Sequence, residues 1–545
     1  MFKKIVDLIE KIEKSHTNFY LWAVSFLSII IVRVLMENWL SGMVNRTGDY
    51  FFHHFSYTLV FFLLSYLVFL GLLIKNINIK IKEASNVMLW GYLIIIFPPL
   101  FDFILLSDGP YLSFYGIYGL AEMPYRFFSF FGDKPDFGVT YGVRIEIAFT
   151  VVALLIYGYL KTGKMLKAFF LSLQAYIILF FLATFPSWFT IFVKGFSEGF
   201  GKVGDTDIVQ LFFVPVRLFS RNTGNYLNAL SIKLSIIYAF LIFLSVCLGL
   251  WFLYRKQFVA FLRNSRPVQI IYHLGLFGVG AGLSFFFAEI TWEFDIFNLF
   301  SFLLIAISIV CAWLASVVVN DIYDIKIDAL TNKTRPLTVG VFKESDYIAI
   351  GVVLFFVSIL FSAMVNPKIA FILIAYQSLA FLYSAWPFRL KRFLGIASLV
   401  SSLASLLILM AGFILTSSME DISQMPARIV WLIGIALIFC LPIKDLKDIE
   451  GDRKDEVMTV PVVFGEFWGK MVIGGGVFIS YVLSVLVLNE KKLLIWAIIL
   501  GGISFWILIF SGKNKKITNR NVIWWILGFL VIYVFVLLKL VFVLK

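Results

Sequence analysis

Cysteine is scarce in this chain: only Cys247, Cys311 and Cys440 occur among 545 residues, far apart and inside or at the ends of apolar stretches. That excludes a disulfide framework and a CxxC metal site. Charge is scarce as well, at 14% of residues against 61% hydrophobic, which excludes an ordinary soluble protein. In its place stand apolar runs of about 17 to 23 residues, the length an α-helix needs to cross a hydrocarbon core about 30 Å thick. The composition therefore predicts an all-α polytopic membrane protein with about fifteen transmembrane helices.

The spans are expected near 20–40, 53–74, 87–106, 143–160, 168–193 and 230–254, then 268–288, 296–318, 347–365, 369–386, 394–416, 427–443, 470–488, 493–511 and 523–543. No cleavable signal peptide is expected, because Met1 to Asn18 is charged and the first apolar run is long enough to stay as an anchor. The net charge of +13 follows the loops. Lys3, Lys4, Lys11 and Lys14 precede the first span; alternate loops carry Lys75, Lys80 and Lys82, then Lys161, Lys164 and Lys167, then Arg255, Lys256, Arg263 and Arg266. By the positive-inside rule these segments and the N-terminus are cytoplasmic, in a plasma or inner membrane. Interfacial lysines account for the charge, so no nucleic-acid partner is expected.

A polar, basic linker near Phe258 to Pro267 divides residues 1–261, with about six spans and no assignable function, from residues 262–545, with about nine. The first part shows no catalytic spacing. Arg33 and Glu37, four apart inside the first span, read as a buried or snorkelling ion pair. His53 and His54 are adjacent, so on a helix they point about 100° apart and read as interfacial residues rather than a metal pair. Arg144 and Glu146 read as residues of a span boundary.

The second part carries the chemistry. Asn320 and Asp321 lead a run with Asp324 and Asp328, and the carboxylate spacing recurs at Asp445, Asp448 and Asp452. On a helix, steps of three and then four residues put the three acids of each set on one face, where like charges repel unless a cation sits between them. Two such faces turned toward each other would make a divalent-metal site. Lys333 and Arg335 follow the first set, and a basic cluster with Tyr383, Arg389 and Lys391 lies between the two. Carboxylates beside fixed cations suit a ligand that is both anionic and metal-bound, such as a diphosphate. Both acidic loops fall on the cytoplasmic side by the same count.

These residues resemble the UbiA-type intramembrane prenyltransferases. Asn320, Asp321, Asp324 and Asp328 match that family's NDxxDxxxD motif, followed by Arg335-Pro336 and Gly340. Asp445, Asp448 and Asp452 match its DxxDxxxD motif, with Thr459-Val460-Pro461 and Gly465 downstream. Tyr383-Ser384 through Lys391 resembles its tyrosine-and-lysine loop, and Arg266-Pro267 the arginine-proline pair before its first helix. The likeness runs over about residues 262 to 545 and includes a nine-helix count; Glu456 stands where a glycine is usual, Ala329 where many members have arginine, and Gln269 where asparagine is common.

The resemblance implies Mg²⁺-dependent transfer of a prenyl group from a polyprenyl diphosphate to an aromatic or lipid-like acceptor within the bilayer. It implies two Mg²⁺ held by Asn320, Asp321, Asp324, Asp328, Asp445, Asp448 and Asp452, with Asp321, Asp324, Asp448 and Asp452 catalytic. Lys333, Arg335, Tyr383, Arg389, Lys391 and Arg266 are then expected to contact diphosphate. Phosphoribosyl transfer to a polyprenyl phosphate is the alternative within the family, and a transporter or flippase the alternative outside it.

Overall fold

The computed structural model describes all residues except 1, 42–47, 106–114, 133–138, 220, 289–294, 326–327, 330–333, 418–420, 448, 455, 513–516, 520, 538 and 541–545. Apart from one ladder of two two-residue strands, Arg217–Leu218 and Arg221–Asn222, the regular elements among the described residues are helical. Among the described residues, fourteen segments are long and apolar enough to cross a membrane, and Val522–Leu537, expected as a fifteenth span, is apolar but shorter. The chain is an integral, multi-pass membrane protein. It divides into two compact units, residues 1–217 with 222–255, and residues 218–221 with 256–545.

The first unit begins with α1 (Phe2–Glu13), whose end is tied down by Glu13: its carboxylate accepts from Tyr157 at 2.8 Å and Lys161 at 2.5 Å. Then follow α2 (Phe19–Leu40), α3 (Gly48–Ile77), α4 (Ile81–Gly91), α5 (Pro98–Leu105), α6 (Met123–Phe128) and α7 (Tyr141–Thr162). Asn18 caps α2 by accepting from the Leu21 N–H, and α7 stops at Gly163, where φ is +63°. The single span expected over 168–193 is two helices, α8 (Met165–Ala183) and α9 (Phe185–Glu198). Pro186 lacks the N–H that would continue α8, so the chain breaks at Thr184 and restarts with proline in the first turn. The unit closes with α10 (Asp205–Phe213) and α11 (Tyr226–Leu253).

Two expectations about this unit change. His53 and His54 are buried, 2% and 6% exposed, not interfacial. The reason is that α3 starts earlier than hydropathy suggests, which places the pair inside the bundle, and His54 Nε2 lies 3.5 Å from the Glu37 carboxylate. Arg33 and Glu37 do pair, 3.4 Å apart and buried.

The segment expected as a polar linker is helical: α12 (Arg255–Asn264) places Phe258, Phe261 and Leu262 three and four apart, an amphipathic pattern that polarity alone conceals. The second unit continues with α13 (Pro267–Phe287), α14 (Ile296–Tyr323), α15 (Glu344–Val365), α16 (Pro367–Ser384), α17 (Ile396–Thr416), α18 (Ala427–Cys440), α19 (Ile449–Lys454), α20 (Val460–Leu488), α21 (Leu493–Phe510) and α22 (Val522–Leu537).

Lipid offers no hydrophobic drive between helices, so small residues set how closely they approach. A Cβ on Gly280 of α13 would stand 1.8 Å from the Leu409 carbonyl oxygen, and one on Gly412 of α17 would stand 2.0 Å from that of Phe277. One turn on, Ser284 and Thr416 share a hydrogen bond of 2.6 Å across the same seam. This glycine contact fixes α13 against α17, and with it the two helix ends that bear Arg266 and Ser398. Proline starts α13, α16 and α20 at positions where its missing N–H costs nothing.

Candidate active site

The end of α14 opens the first acidic set: Asn320 lies in its last turn, Asp324 is its C-cap residue, and Asp328 follows beyond the helix. Asn320, Asp324 and Asp328, in steps of four, line a cavity of about 890 Å³, whereas Asp321 is absent from its wall. The expectation of one face shared by Asp321, Asp324 and Asp328 is therefore corrected. α14 ends at Tyr323, so helical periodicity does not carry on to Asp328, although Arg335 still reaches both Asp321 and Asp328.

Asp321 is 2% exposed and turned into a cage of donors. Its Oδ2 accepts from Asn264 at 2.5 Å and the Tyr347 hydroxyl at 3.0 Å, and its Oδ1 from Arg266 at 3.1 Å. Arg335 stands 3.3 Å from the same Oδ1 and donates to Asn264 at 2.7 Å. Asp321 thus gathers two of the arginines that line the cavity, Arg266 and Arg335. Burial, and next the neighbouring Arg335, push the Arg266 guanidinium below its ordinary value, while Asp321, Asp328 and Asp324 oppose this.

Asp324 takes the other cations. Arg389 donates to its Oδ1 at 3.0 Å and Lys391 to its Oδ2 at 2.5 Å, and Arg335 Nε lies 3.8 Å from Asp328. Lys391 reaches the cavity, but Arg389 is buried behind it. Arg266 and Arg389 both have left-handed backbone, φ +54° and +42°, a conformation that costs a non-glycine residue of order 1–3 kcal/mol. The ion pairs each makes offset that cost and hold its side chain over the acids.

The second acidic set reaches the same cavity by different local structure. Residues Leu441–Lys447 form a 3₁₀ helix and α19 follows, rather than one continuous α-helix. Asp445 and Asp452 line the wall with Glu450, opposite Asn320 and Asp324, and Tyr383 lines it as well. Of the residues expected here, Lys333 and Asp448 lie outside the described residues.

Composition and motif missed several contributors. Lys444 and Lys447 line the cavity, with the Lys444 ammonium 5.8 Å from the centre of the Tyr383 ring; Asn264 and Tyr347 hold Asp321 from other helices. Lys444 and Lys447 stand beside Asp445 in the chain, so charge alternation within that loop was the available signal. Asn264 and Tyr347 carried none, since only the fold brings them to Asp321.

The Thr459-Val460-Pro461 segment closes the wall. The Met458 N–H donates to the Arg392 carbonyl at 3.0 Å, joining this segment to the basic loop, and Thr459 stands at the N-cap position of α20 without a side-chain capping bond. Gly465, with φ +77° and ψ 166°, breaks the first turns of α20 and turns Glu466 toward the cavity. Glu456, where glycine is usual, has φ +56°, the left-handed backbone that glycine adopts most easily.

The donor set fits a hard divalent cation, because Asn320, Asp324, Asp328, Asp445 and Asp452 offer only oxygen. Among the described residues no three His, Cys, Asp or Glu side chains converge on one point, and the basic side chains hold Asp324 and Asp328. A metal-bound anion would draw the cations to itself and leave the carboxylates to the metal.

The UbiA prenyltransferase family model matches residues 275–529. This stretch is a UbiA family domain. No family match covers the N-terminal region. The UbiA domain is similar to the digeranylgeranylglyceryl phosphate synthase of Sulfolobus acidocaldarius, 28% identical over 210 residues, which is 37% of this chain and 72% of that protein. It is also similar to the chloroplastic chlorophyll synthase of Avena sativa, 27% identical over 195 residues, 34% of this chain and 50% of that protein. The chain spans about half the length of most curated relatives it matches. Among solved structures, a UbiA homologue from Archaeoglobus fulgidus bound to DMAPP and Mg²⁺ aligns with a TM-score of 0.41 at 18% identity, covering 50% of this chain and 96% of that one.

Proposed function

We propose that the UbiA domain transfers a prenyl group from a prenyl diphosphate to a membrane-accessible acceptor, and that the reaction depends on Mg²⁺. The observation that carries this reading is the single cavity onto which both acidic motifs open, together with Arg266, Arg335, Lys391 and Lys444. Acids and fixed cations on one wall suit a ligand whose charge is negative and whose counter-ion is divalent. The relatives named digeranylgeranylglyceryl phosphate synthase and chlorophyll synthase make different products, so the reading extends to a lipid-like or aromatic acceptor without choosing between them.

Asn320, Asp324, Asp328, Asp445, Asp448 and Asp452 would hold the metal, two ions in all. Bound there, Mg²⁺ supplies positive charge to the leaving diphosphate. Arg266, Arg335, Lys391 and Lys444 orient the diphosphate oxygens, Lys333 joins them, and Arg389 sets the position of Asp324. Asp321 acts one step back, by holding Arg266 and Arg335 in register. The reactive allylic carbon then faces the apolar interior of the bundle, where bulk water does not compete with the acceptor.

The same proposal assigns transfer to residues 262–545, leaves residues 1–261 as a separate membrane domain, and places both acidic loops and the N-terminus in the cytoplasm of a cell with this protein in its plasma or inner membrane. Membranes bearing the full chain, incubated with labelled prenyl diphosphates of graded length and a panel of acceptors, should release diphosphate and form prenylated product only with Mg²⁺. Unchanged turnover in an Asp324→Ala, Asp452→Ala double variant would sink the site assignment.

A further inference from the structure

Four helices of the UbiA domain bring a residue to the wall of the diphosphate cavity: Arg266 immediately before α13, Asn320 near the end of α14, Tyr383 near the end of α16 and Ser398 in the first turn of α17. Seven residues further from the wall along each helix stand His273, Trp313, Tyr376 and Ser405, about 10 Å deeper in the bundle at 1.5 Å per residue. Seven residues is nearly two turns, so Trp313, Tyr376 and Ser405 lie beneath their wall residues on almost the same helix face. Asn320, Tyr383 and Ser398 are half-buried, whereas His273, Tyr376 and Ser405 are buried.

The deeper residues close on one another across the bundle. His273 Nδ1 lies 2.6 Å from the Gln269 carbonyl oxygen, which can only accept, so Nδ1 carries the ring proton and Nε2 accepts from the Tyr376 hydroxyl at 3.0 Å. The His273 ring packs on Trp313 with centroids 4.8 Å apart, and the Trp313 indole donates to the Ser265 carbonyl at 3.0 Å. Beside it the Tyr272 hydroxyl donates to Ser405 Oγ at 2.8 Å. At this one depth α13 is therefore tied to α14, α16 and α17.

One turn further on, the same four helices supply Phe277, Ile309, Leu373 and Leu409, each at most 1% exposed, and the Phe277 ring packs on Phe302 at 4.9 Å. There α13 and α17 are also in backbone contact, Gly280 with Leu409 and Gly412 with Phe277. An interior packed in this way leaves no room for a hydrocarbon tail.

We infer that the layer of His273, Trp313 and Tyr376 is the floor of the donor's hydrocarbon site and sets the length of prenyl chain that the domain accepts, an inference that rests on the prenyl-transfer reading above. An isoprene unit adds four bonds to the chain, about 5 Å at the reach of roughly 1.2 Å per bond of an extended chain. The depth between wall and floor therefore holds about two units. A longer tail has to displace the aromatic rings that their hydrogen bonds hold in place, or stay partly outside the site.

Binding of prenyl thiolodiphosphates, in which sulfur replaces the bridging oxygen and ionisation is slow, tests this without an acceptor. With the full chain in lipid nanodiscs and Mg²⁺ present, affinity should rise from the dimethylallyl to the geranyl analogue and fall about tenfold by geranylgeranyl, the order of one buried hydrogen bond lost. Tyr376→Ala and Trp313→Leu each lower the floor and should bring the geranyl and geranylgeranyl analogues to within about threefold of each other. Geranyl binding at wild-type strength shows that a variant has kept its fold. Affinity that climbs through geranylgeranyl in the wild type overturns the floor, as does a length profile that both variants leave unchanged or weaken uniformly, the mark of a merely structural layer; prenyl transfer stands in each of these cases. Inorganic diphosphate binding as tightly as every prenyl analogue would instead overturn the prenyl-transfer reading, and the floor with it.

Discussion

Two aspartates three residues apart have different tasks here. Asp321 is closed off among Asn264, Tyr347, Arg266 and Arg335, whereas Asp324 stands at the cavity with Lys391 and Arg389. Removing the charge of Asp321 leaves two arginines without their shared anion, and breaking a buried pair in this way costs about 3–5 kcal/mol. Asp321→Asn should therefore lower the melting temperature of the purified protein and raise KM for prenyl diphosphate. Asp324→Asn releases Lys391 at the open cavity and Arg389 behind it, so the melting temperature should fall less than in Asp321→Asn. Its kcat should instead fall by on the order of 10²-fold, the usual loss when a group that stabilises transition-state charge is removed. Equal loss of stability in the two variants would contradict the division. The motif spacing nominated both aspartates; which one lines the cavity depended on where α14 ends and on the partners from other segments that close around Asp321.

At the scale of elements, the seam between α13 and α17 rests on Gly280 and Gly412. A methyl group at either would meet backbone within about 2 Å, contacts that no side-chain rotation relieves. Gly412→Ala should destabilise the chain by at least about 1–3 kcal/mol, the usual cost of overpacking, and a thermal melt checks it. Gly475, with open space around its Cβ direction, is the control, and alanine there should leave the melt nearly unchanged.

Helix α10 supplies a pH test. Its Asp207 accepts from Lys194 at 2.8 Å and from the Gly204 N–H at 3.0 Å, and the Lys194 hydrogen bond, then the Gly204 one, holds its carboxyl below the ordinary value. A depressed folded-state value means that this cap is fully present above the ordinary carboxylate range and is lost as pH falls through the depressed one. Hydrogen exchange at the start of α10 should speed up on that acid side, and Asp207→Asn should abolish the change. Hydropathy found nearly all the spans, because a run of about twenty apolar residues fits few structures except a membrane-crossing helix. It did not find the break at Thr184, where one proline divides a continuous apolar run, or α12, whose apolar residues are few and correctly spaced.

For the whole molecule, the UbiA domain presents its acids already matched by its own cations. Chelation of divalent ions should abolish prenyl transfer, and added Mg²⁺ should restore it. Because internal ion pairs hold the carboxylates meanwhile, the melting temperature should drop only slightly on chelation. A large drop would mean that the metal, rather than Lys391, Arg389 and Arg335, holds the site together.

Composition by itself determined that this is a helical membrane protein, since 61% hydrophobic residues in runs of span length cannot fold any other way in water or lipid. The paired Asp motifs carried the proposal of ligand class, because oxygen donors repeated beside lysine and arginine suit a metal-bound anion. Tertiary structure decided the rest. It turned Asp321 away from the cavity, brought Asn264 and Tyr347 to that aspartate from other helices, replaced the second helical motif with a 3₁₀ turn, and buried His54 against Glu37. Each of these depends on which face of one helix meets another, and that is set by contacts between residues far apart in the chain.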